Sequence, residues 1–87
     1  MKTNFDNLVR KINQFEIKAK FERTPKEKLT RWLKKEIKEY ETAKTKSKKS
    51  DKLIDIIILS MQIAERENIS LDAAWKRWWV KSKKYLE

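Results

Sequence analysis

The fold of this 87-residue chain is decided by the stretch DKLIDIIILSMQIAERE, residues 51–67. Apolar side chains lie on almost every side of a helix drawn through it, which predicts a buried helix at the centre of the protein. Its isoleucines also favour a β-strand. The length of the stretch, the helix-forming residues around it and a capping residue at Ser50 favour the helix instead.

Three amphipathic helices are predicted around this central one, over residues 4–20, 25–43 and 71–85. Residues 44–50 are a polar, like-charged run and are predicted to form a basic linker. The sequence therefore predicts one all-α domain, residues 1–87, folded as a four-helix bundle. The helix starts are predicted from residues that cap helices, namely Thr3 for the first, Thr24 with Pro25 and Glu27 for the second, and Ser70 for the last.

The predicted bundle is too small to cover its own central helix. A single core in a chain of this length is marginal. A helix that is apolar all round also needs more neighbours than three short amphipathic helices readily supply. We therefore expect a homodimer or homotetramer in which further copies of the chain complete the core.

The residue types that the chain lacks exclude several kinds of site. There is no cysteine, histidine or glycine in the sequence. The chain therefore has no disulfide, no Ser-His or Cys-His nucleophilic pair, none of the usual zinc ligands and no glycine-rich phosphate loop. A metal site would have to be built from carboxylates, which suits magnesium or manganese.

The charge of the chain indicates the kind of partner it binds. Its 23 basic and 13 acidic residues give a net charge of +10. Such a balance favours anionic partners, including nucleotides and nucleic acid. The alternative is that most of the lysines form a solvated helical surface rich in Lys and Glu. We find no signal-peptide pattern and no apolar stretch long enough to span a bilayer. We therefore expect a cytoplasmic protein with no membrane partner.

Three carboxylates fall on predicted apolar faces. Glu36 lies near the centre of the apolar stripe of the second helix, Glu39 lies one turn further on, and Asp55 interrupts the isoleucine run. Carboxylates that converge in a core repel one another unless a cation lies between them. That cation is either a divalent metal or the ammonium of Lys52, three residues before Asp55, and the spacing alone leaves both alternatives open.

The predicted fourth helix carries an aromatic face surrounded by cations. Trp75, Trp78 and Trp79 are spaced i, i+3 and i+4, so they share one side of the helix. Packing in a core or an interface is the more common role of such a face. The alternative is a platform on which the bases of single-stranded nucleic acid stack. The neighbouring basic residues, which have no acid among them, are Lys76, Arg77, Lys81, Lys83 and Lys84.

The order of these motifs resembles that of a known family. Glu36-Ile-Lys-Glu39, twelve further residues and Lys52-Leu-Ile-Asp55 together resemble the ExxE…ExxD signature of the all-α MazG-like nucleotide pyrophosphohydrolases. The resemblance extends over almost the whole chain, through residues 13–15, 23–29, 54–59, 64–65, 69–74 and 84–85.

The resemblance implies a metal-dependent hydrolase. In that family the acids bind magnesium, and activated water splits a nucleoside triphosphate into the monophosphate and pyrophosphate. Carried over to this chain, the metal ligands are Glu36, Glu39 and Asp55. Lys52 stands where the family has a third glutamate, and this places a cation beside the expected metal.

The resemblance also implies a phosphate-binding last helix. The family carries a Lys-x3-Asn-x2-Arg pattern there, and the matching residues of this chain are Arg77, Lys81 and Lys84. Trp78, between them, is a candidate for contact with the base.

Three functions are therefore expected from the sequence. The first is a MazG-like nucleotide pyrophosphohydrolase that uses magnesium or manganese. The second is a catalytically inactive MazG-like basic module that binds nucleotides or single-stranded nucleic acid. The third is a regulator that binds another protein through its tryptophan face.

Overall fold

The computed structural model describes residues 4–20 and 23–86, and all of the regular structure in those two ranges is helical. These two ranges contain four α-helices, which confirms the all-α prediction. A short 3₁₀ turn follows the last of them. The elements are α1 (Phe5–Ala19), α2 (Lys26–Thr42), α3 (Lys46–Arg66), α4 (Leu71–Ser82) and the 3₁₀ turn Lys83–Leu86.

The start of α2 differs from the prediction. The helix begins at Lys26, and Pro25 is its cap, with no hydrogen bond from a capping side chain. The predicted capping box of Thr24 and Glu27 is therefore wrong. The carbonyl of Thr24 instead accepts a hydrogen bond from Arg66 Nε at 2.9 Å. For α1, the predicted cap Thr3 lies outside the described residues, and the side chain of Asn4 accepts a hydrogen bond from the first turn.

The predicted basic linker over residues 44–50 is mostly helix. Helix α3 begins at Lys46, because Thr45 caps it and accepts a hydrogen bond from the Lys48 amide at 3.1 Å. The predicted cap, Ser50, lies inside the helix and donates to the Ser47 carbonyl. The lysines of this segment are exposed, so water screens their mutual repulsion, and lysine is a good helix former.

The turn between α3 and α4 agrees with the prediction. Asn68 has a left-handed backbone, with φ of 56°, just after the end of α3. Ser70 caps α4 as predicted, and its hydroxyl accepts a hydrogen bond from the Ala73 amide at 3.2 Å. The predicted fourth helix over residues 71–85 is divided, because the α-helix ends at Ser82 and the 3₁₀ turn continues to Leu86.

The core lies where α1, α2 and the C-terminal half of α3 meet. Its buried apolar side chains are Leu29, Leu59, Met61 and Ala64. Helix α2 packs along α3, and α1 packs against α3 as well. The C-terminal end of α1 lies near the C-terminal end of α3, where Glu16 pairs with Arg66. The N-terminal end of α1 lies near the start of α4, where the Phe5 amide donates to Asp72.

The central helix is buried along only half of its length. Ile54 and Ile57 lie on the same side of α3 as Met61 and Ala64, yet they are 51% and 46% exposed. Leu53 beside them is also exposed. The prediction that α3 is buried throughout is therefore wrong for a single copy, since the other helices cover this side only near its C-terminal end.

Candidate functional site

Two of the predicted acids lie on either side of the predicted cation. Helix α2 carries Glu36 and Glu39, and α3 carries Lys52 opposite them. Lys52 Nζ lies 3.1 Å from Glu36 Oε2 and 3.4 Å from Glu39 Oε1. We call these three residues the Lys52 cluster. The spacing left two cations open, a divalent metal and the Lys52 ammonium, and in the structure the ammonium lies between the carboxylates of Glu36 and Glu39.

The Lys52 cluster is partly open to water. The side chains of Glu36, Lys52 and Glu39 are 18%, 29% and 35% exposed. Glu39 Oε2 is buried and accepts no hydrogen bond from any described residue, whereas the buried Glu36 Oε2 faces the Lys52 ammonium in the ion pair. The pKa of Lys52 is raised mainly by its contact with the Glu36 carboxylate. Burial lowers this pKa, and Glu39 raises it further. The ammonium therefore stays protonated.

The donor set of the Lys52 cluster does not suit a divalent metal ion. Within residues 4–20 and 23–86, no group of three or more acidic side chains is arranged to hold one. The space between Glu36 and Glu39 is taken by a positive charge, which would repel a divalent cation at contact distance. The metal ligand set that the resemblance implies stays a prediction, and it requires Lys52 to move away.

Asp55, the third predicted ligand, lines a groove beside the Lys52 cluster. The groove has a volume of about 400 Å³ and runs between α2 and α3. Asp55 is half-buried, and it makes no ion pair with any described residue. The other side chains that line the groove are Trp32, Lys35, Glu36, Ile58, Leu59 and Gln62.

A second groove, of about 370 Å³, lies on the other side of Lys52. Glu39 and Lys52 form part of its wall. Lys44, just before α3, and Lys48, in its first turn, form another part. The entrance to the cluster from this side is therefore basic.

The predicted aromatic face of α4 exists and is only half covered. Trp75 and Trp78 are stacked, with ring centroids 5.1 Å apart and an angle of 23° between the rings. Trp79 lies 6.2 Å from Trp75, nearly parallel to it. The three rings are between 37% and 49% exposed. We call these three residues the α4 aromatic surface.

The predicted phosphate-binding residues lie on α4 and the turn after it, away from the Lys52 cluster. Arg77, Lys81 and Lys84 are exposed. Among the described residues that line the two grooves beside the cluster, none comes from α4. A single copy of the chain therefore does not bring the predicted acids and the predicted phosphate ligands together.

Helix α4 is attached to the rest of the protein at its N-terminal end. The Asp72 carboxylate accepts hydrogen bonds from the Phe5 and Asp6 amides at 2.6 and 3.2 Å, at the start of α1. The Ser70 hydroxyl donates to Asp6 at 2.9 Å, and this bond is the main cause that lowers the pKa of Asp6. The Phe5 ring packs edge-on against Trp75, with centroids 6.0 Å apart.

A second ion cluster, which was not predicted from the sequence, lies at the C-terminal end of α3. The side chain of Glu16 is almost completely buried, and both of its oxygens accept hydrogen bonds from the guanidinium of Arg66. Arg66 also donates to Glu65 and to the Thr24 carbonyl. Glu16 is the main cause that raises the pKa of Arg66. We call these residues the Arg66 cluster.

The sequence contained a signal for that cluster. Glu16 follows Ile12 by four residues, so it lies on the apolar stripe of α1, between Ile12 and Val9. This is the same pattern that drew attention to Glu36 on α2.

Comparison with known proteins adds no assignment. No protein-family profile matches this chain, and neither a curated protein nor a solved structure matches it. In the described part of the chain, none of the helices is long and apolar enough to cross a membrane. The cytoplasmic location expected from the sequence stays a prediction.

Proposed function

We propose that this protein is a MazG-like helical module that binds phosphate-bearing partners and does not hydrolyse them. One observation carries the proposal: Lys52 Nζ lies 3.1 Å from Glu36 and 3.4 Å from Glu39. The ammonium stands where the resemblance implies a metal ion.

The chemistry of hydrolysis in the enzymes that the sequence resembles depends on that ion. A metal lowers the pKa of bound water and stabilises the charge that develops on the phosphate. The Lys52 ammonium neutralises the acids, but it supplies no open coordination position for water. The protein keeps the helical scaffold and loses the means to activate a nucleophile.

The charge of the chain supports the binding part of the proposal. A net charge of +10 attracts anions to the surface and raises the rate at which they associate. Nucleotides and single-stranded nucleic acid are the anionic partners that also offer rings to exposed tryptophans.

Nucleotide pyrophosphohydrolysis is the second candidate function. The groove lined by Asp55 supports it, since about 400 Å³ is a typical volume for a small-molecule site. The candidate metal ligands in that case are Glu36, Glu39 and Asp55, with magnesium or manganese as the metal. This candidate requires Lys52 to leave its two partners.

The exposed side of α3 supports a homodimer or homotetramer as part of the proposal. Leu53, Ile54 and Ile57 continue the side of α3 that is buried further along the helix. A second copy that packs there would extend the core. We expect sedimentation of the wild-type protein to give a mass of two or four chains, and an Ile54→Ser/Ile57→Ser variant to sediment as a monomer. A monomeric wild type would contradict this part.

Calorimetric titration of manganese and magnesium tests the proposed function. The protein is compared with Lys52→Glu, which restores the family's acid, and with Lys38→Glu, which makes the same charge change at an exposed position of α2. We expect only Lys52→Glu to bind a divalent ion. Release of pyrophosphate from the common nucleoside triphosphates is measured in parallel. Binding and turnover by the wild type would overturn the proposal in favour of the hydrolase.

A further inference from the structure

The α4 aromatic surface is open along most of its length. Within Leu71–Ser82 none of the residues is buried. Trp78 and Trp79 are 49% and 45% exposed, although tryptophan is among the side chains that gain most from burial. A helix that is attached at one end and leaves its indole rings in water has a face available to a partner.

The same helix concentrates positive charge. Residues 73–86 contain five basic side chains and no acid. Arg77 and Lys81 are spaced i, i+4, a spacing at which like charges destabilise a helix. All five basic side chains are exposed. An anionic partner would remove this repulsion, so the charge of the surface selects a partner with repeated negative charges.

We propose that the α4 aromatic surface binds single-stranded nucleic acid, with bases stacked on Trp78 and Trp79 and phosphates paired with the surrounding cations. The inference rests on the proposed function and names its phosphate-bearing partner. Every base has a face that stacks on an indole ring, so the site is expected to bind with little preference for sequence.

The geometry of the rings favours bases over lipid chains. Trp75 and Trp78 are already stacked at 5.1 Å and 23°, which is an arrangement that a further planar ring can extend. Between Leu71 and Leu86 the indole side of α4 carries Ser82 and no large aliphatic side chain, because Val80, which is 66% exposed, lies roughly 140° round the helix from Trp75. A helix that binds a membrane surface usually presents aliphatic side chains as well.

The first test uses the anisotropy of a fluorescent 20-residue oligothymidylate in buffer that contains EDTA. We expect a Trp78→Leu/Trp79→Leu variant to bind at least about 30-fold more weakly than the wild type, because two stacking contacts are lost. The control is Phe15→Leu, which removes an exposed aromatic ring from α1, away from both grooves, and should leave the affinity unchanged. Equal affinity of the double variant and the wild type would overturn the proposal.

The second test replaces three cations of the surface. A Lys81→Gln/Lys83→Gln/Lys84→Gln variant should weaken the salt dependence: the negative slope of log affinity against log salt concentration should become less steep by about 2. The matched control makes the same charge change at exposed positions elsewhere. If the control makes the slope less steep by the same amount, binding of the strand depends on the net charge of the protein rather than on this surface, and the proposal is wrong. The control substitutions are Lys11→Gln, Lys34→Gln and Lys38→Gln.

A third measurement detects stacking without replacing Trp78 or Trp79, so its result does not depend on whether the double variant folds. A Trp32→Leu protein keeps only the three tryptophans of the α4 aromatic surface. Oligothymidylate should quench its fluorescence with the same midpoint as the anisotropy titration, and unchanged emission would contradict stacking.

The test also separates this inference from the proposed function. Binding in EDTA needs no divalent metal, so it is independent of whether the Lys52 cluster hydrolyses nucleotides. Vesicles of phosphatidylserine are titrated alongside the oligonucleotide. Binding to vesicles without binding to oligothymidylate would overturn the proposal and identify a lipid surface as the partner.

Discussion

Helix α3 carries two clusters in which a cation lies between carboxylates, and the two are built differently. In the Arg66 cluster the side chains of Arg66 and Glu16 are only 12% and 1% exposed. In the Lys52 cluster the cation is 29% exposed, and one buried carboxylate oxygen, Glu39 Oε2, has no hydrogen bond from a described residue. One cluster is closed, and the other is partly open.

The cation in each cluster explains the difference. A guanidinium is planar and presents several donors in a fixed arrangement, whereas an ammonium acts as a compact point charge. Arg66 joins both oxygens of Glu16 and the Thr24 carbonyl, so it connects α1, the start of α2 and α3. Among the described residues, Lys52 of α3 pairs only with acids of α2. The closed cluster joins three parts of the fold, whereas the open one joins two helices and borders both grooves.

The largest expected effect comes from removing the carboxylate of the closed cluster. Glu16→Gln leaves the Arg66 guanidinium buried without its main counter-charge, and this should lower the free energy of unfolding by about 3–5 kcal/mol. Urea denaturation followed by circular dichroism measures the change. Such a loss is a large part of the stability of a small domain.

The control for that experiment is Glu41→Gln, which makes the same charge change at an exposed position of α2. It should change the free energy of unfolding by no more than about 0.5 kcal/mol. Equal losses in the two variants would mean that burial of the ion pair has no structural role.

A smaller effect is expected in the open cluster. Lys52→Met leaves Glu36 and Glu39 facing each other without a cation, but water reaches them in part. We expect the melting temperature to fall by roughly 5 °C. Adding Glu36→Gln and Glu39→Gln to this variant should restore most of the loss, because the repulsion disappears. A triple variant that is no more stable than Lys52→Met would show that the acids do not repel one another there.

Much of the fold was predictable from local sequence. The all-α class and the cap at Ser70 were correct because helical periodicity and capping act over a few residues. The predicted start of α3 was wrong, because the run of lysines was assigned to a linker although exposed lysines are compatible with a helix. The capping box of α2 failed for a tertiary reason, since the Thr24 carbonyl takes part in the Arg66 cluster.

The candidate site was predictable in its members and less so in its arrangement. The position of Glu36 and Glu39 on the α2 stripe identified the acids, and Lys52 was one of the two cations considered. Helical periodicity places residues on a face, but it does not say which faces of different helices meet. Arg66 lies 50 residues from Glu16, so this pairing could not be read from local spacing.

Alkaline pH should separate the two clusters. The pKa of Lys52 is raised above its ordinary value of 10.5 by Glu36 and Glu39. The stabilisation from that ion pair is therefore complete below pH 10.5 and is lost as the pH rises through the raised pKa. Arg66 stays protonated over this range. The difference in melting temperature between the wild type and Lys52→Met should therefore shrink above pH 10.5, whereas a difference that is constant with pH would contradict it.

The smallest effect is expected for a third ion pair. Its loss shows whether the distance between the charges or their burial determines how much an ion pair stabilises the protein. Lys26 Nζ lies 3.1 Å from Glu67, as close as Lys52 lies to Glu36, but its two side chains are 49% and 39% exposed. Water and salt screen an exposed pair, and fixing two long side chains costs entropy, so the net contribution is small. Lys26→Gln should melt at the same temperature as the charge-matched control Lys34→Gln. If it instead lost as much stability as Lys52→Met, the separation of the charges rather than their burial would set the strength of these pairs, and the Lys52 cluster would be an ordinary surface contact.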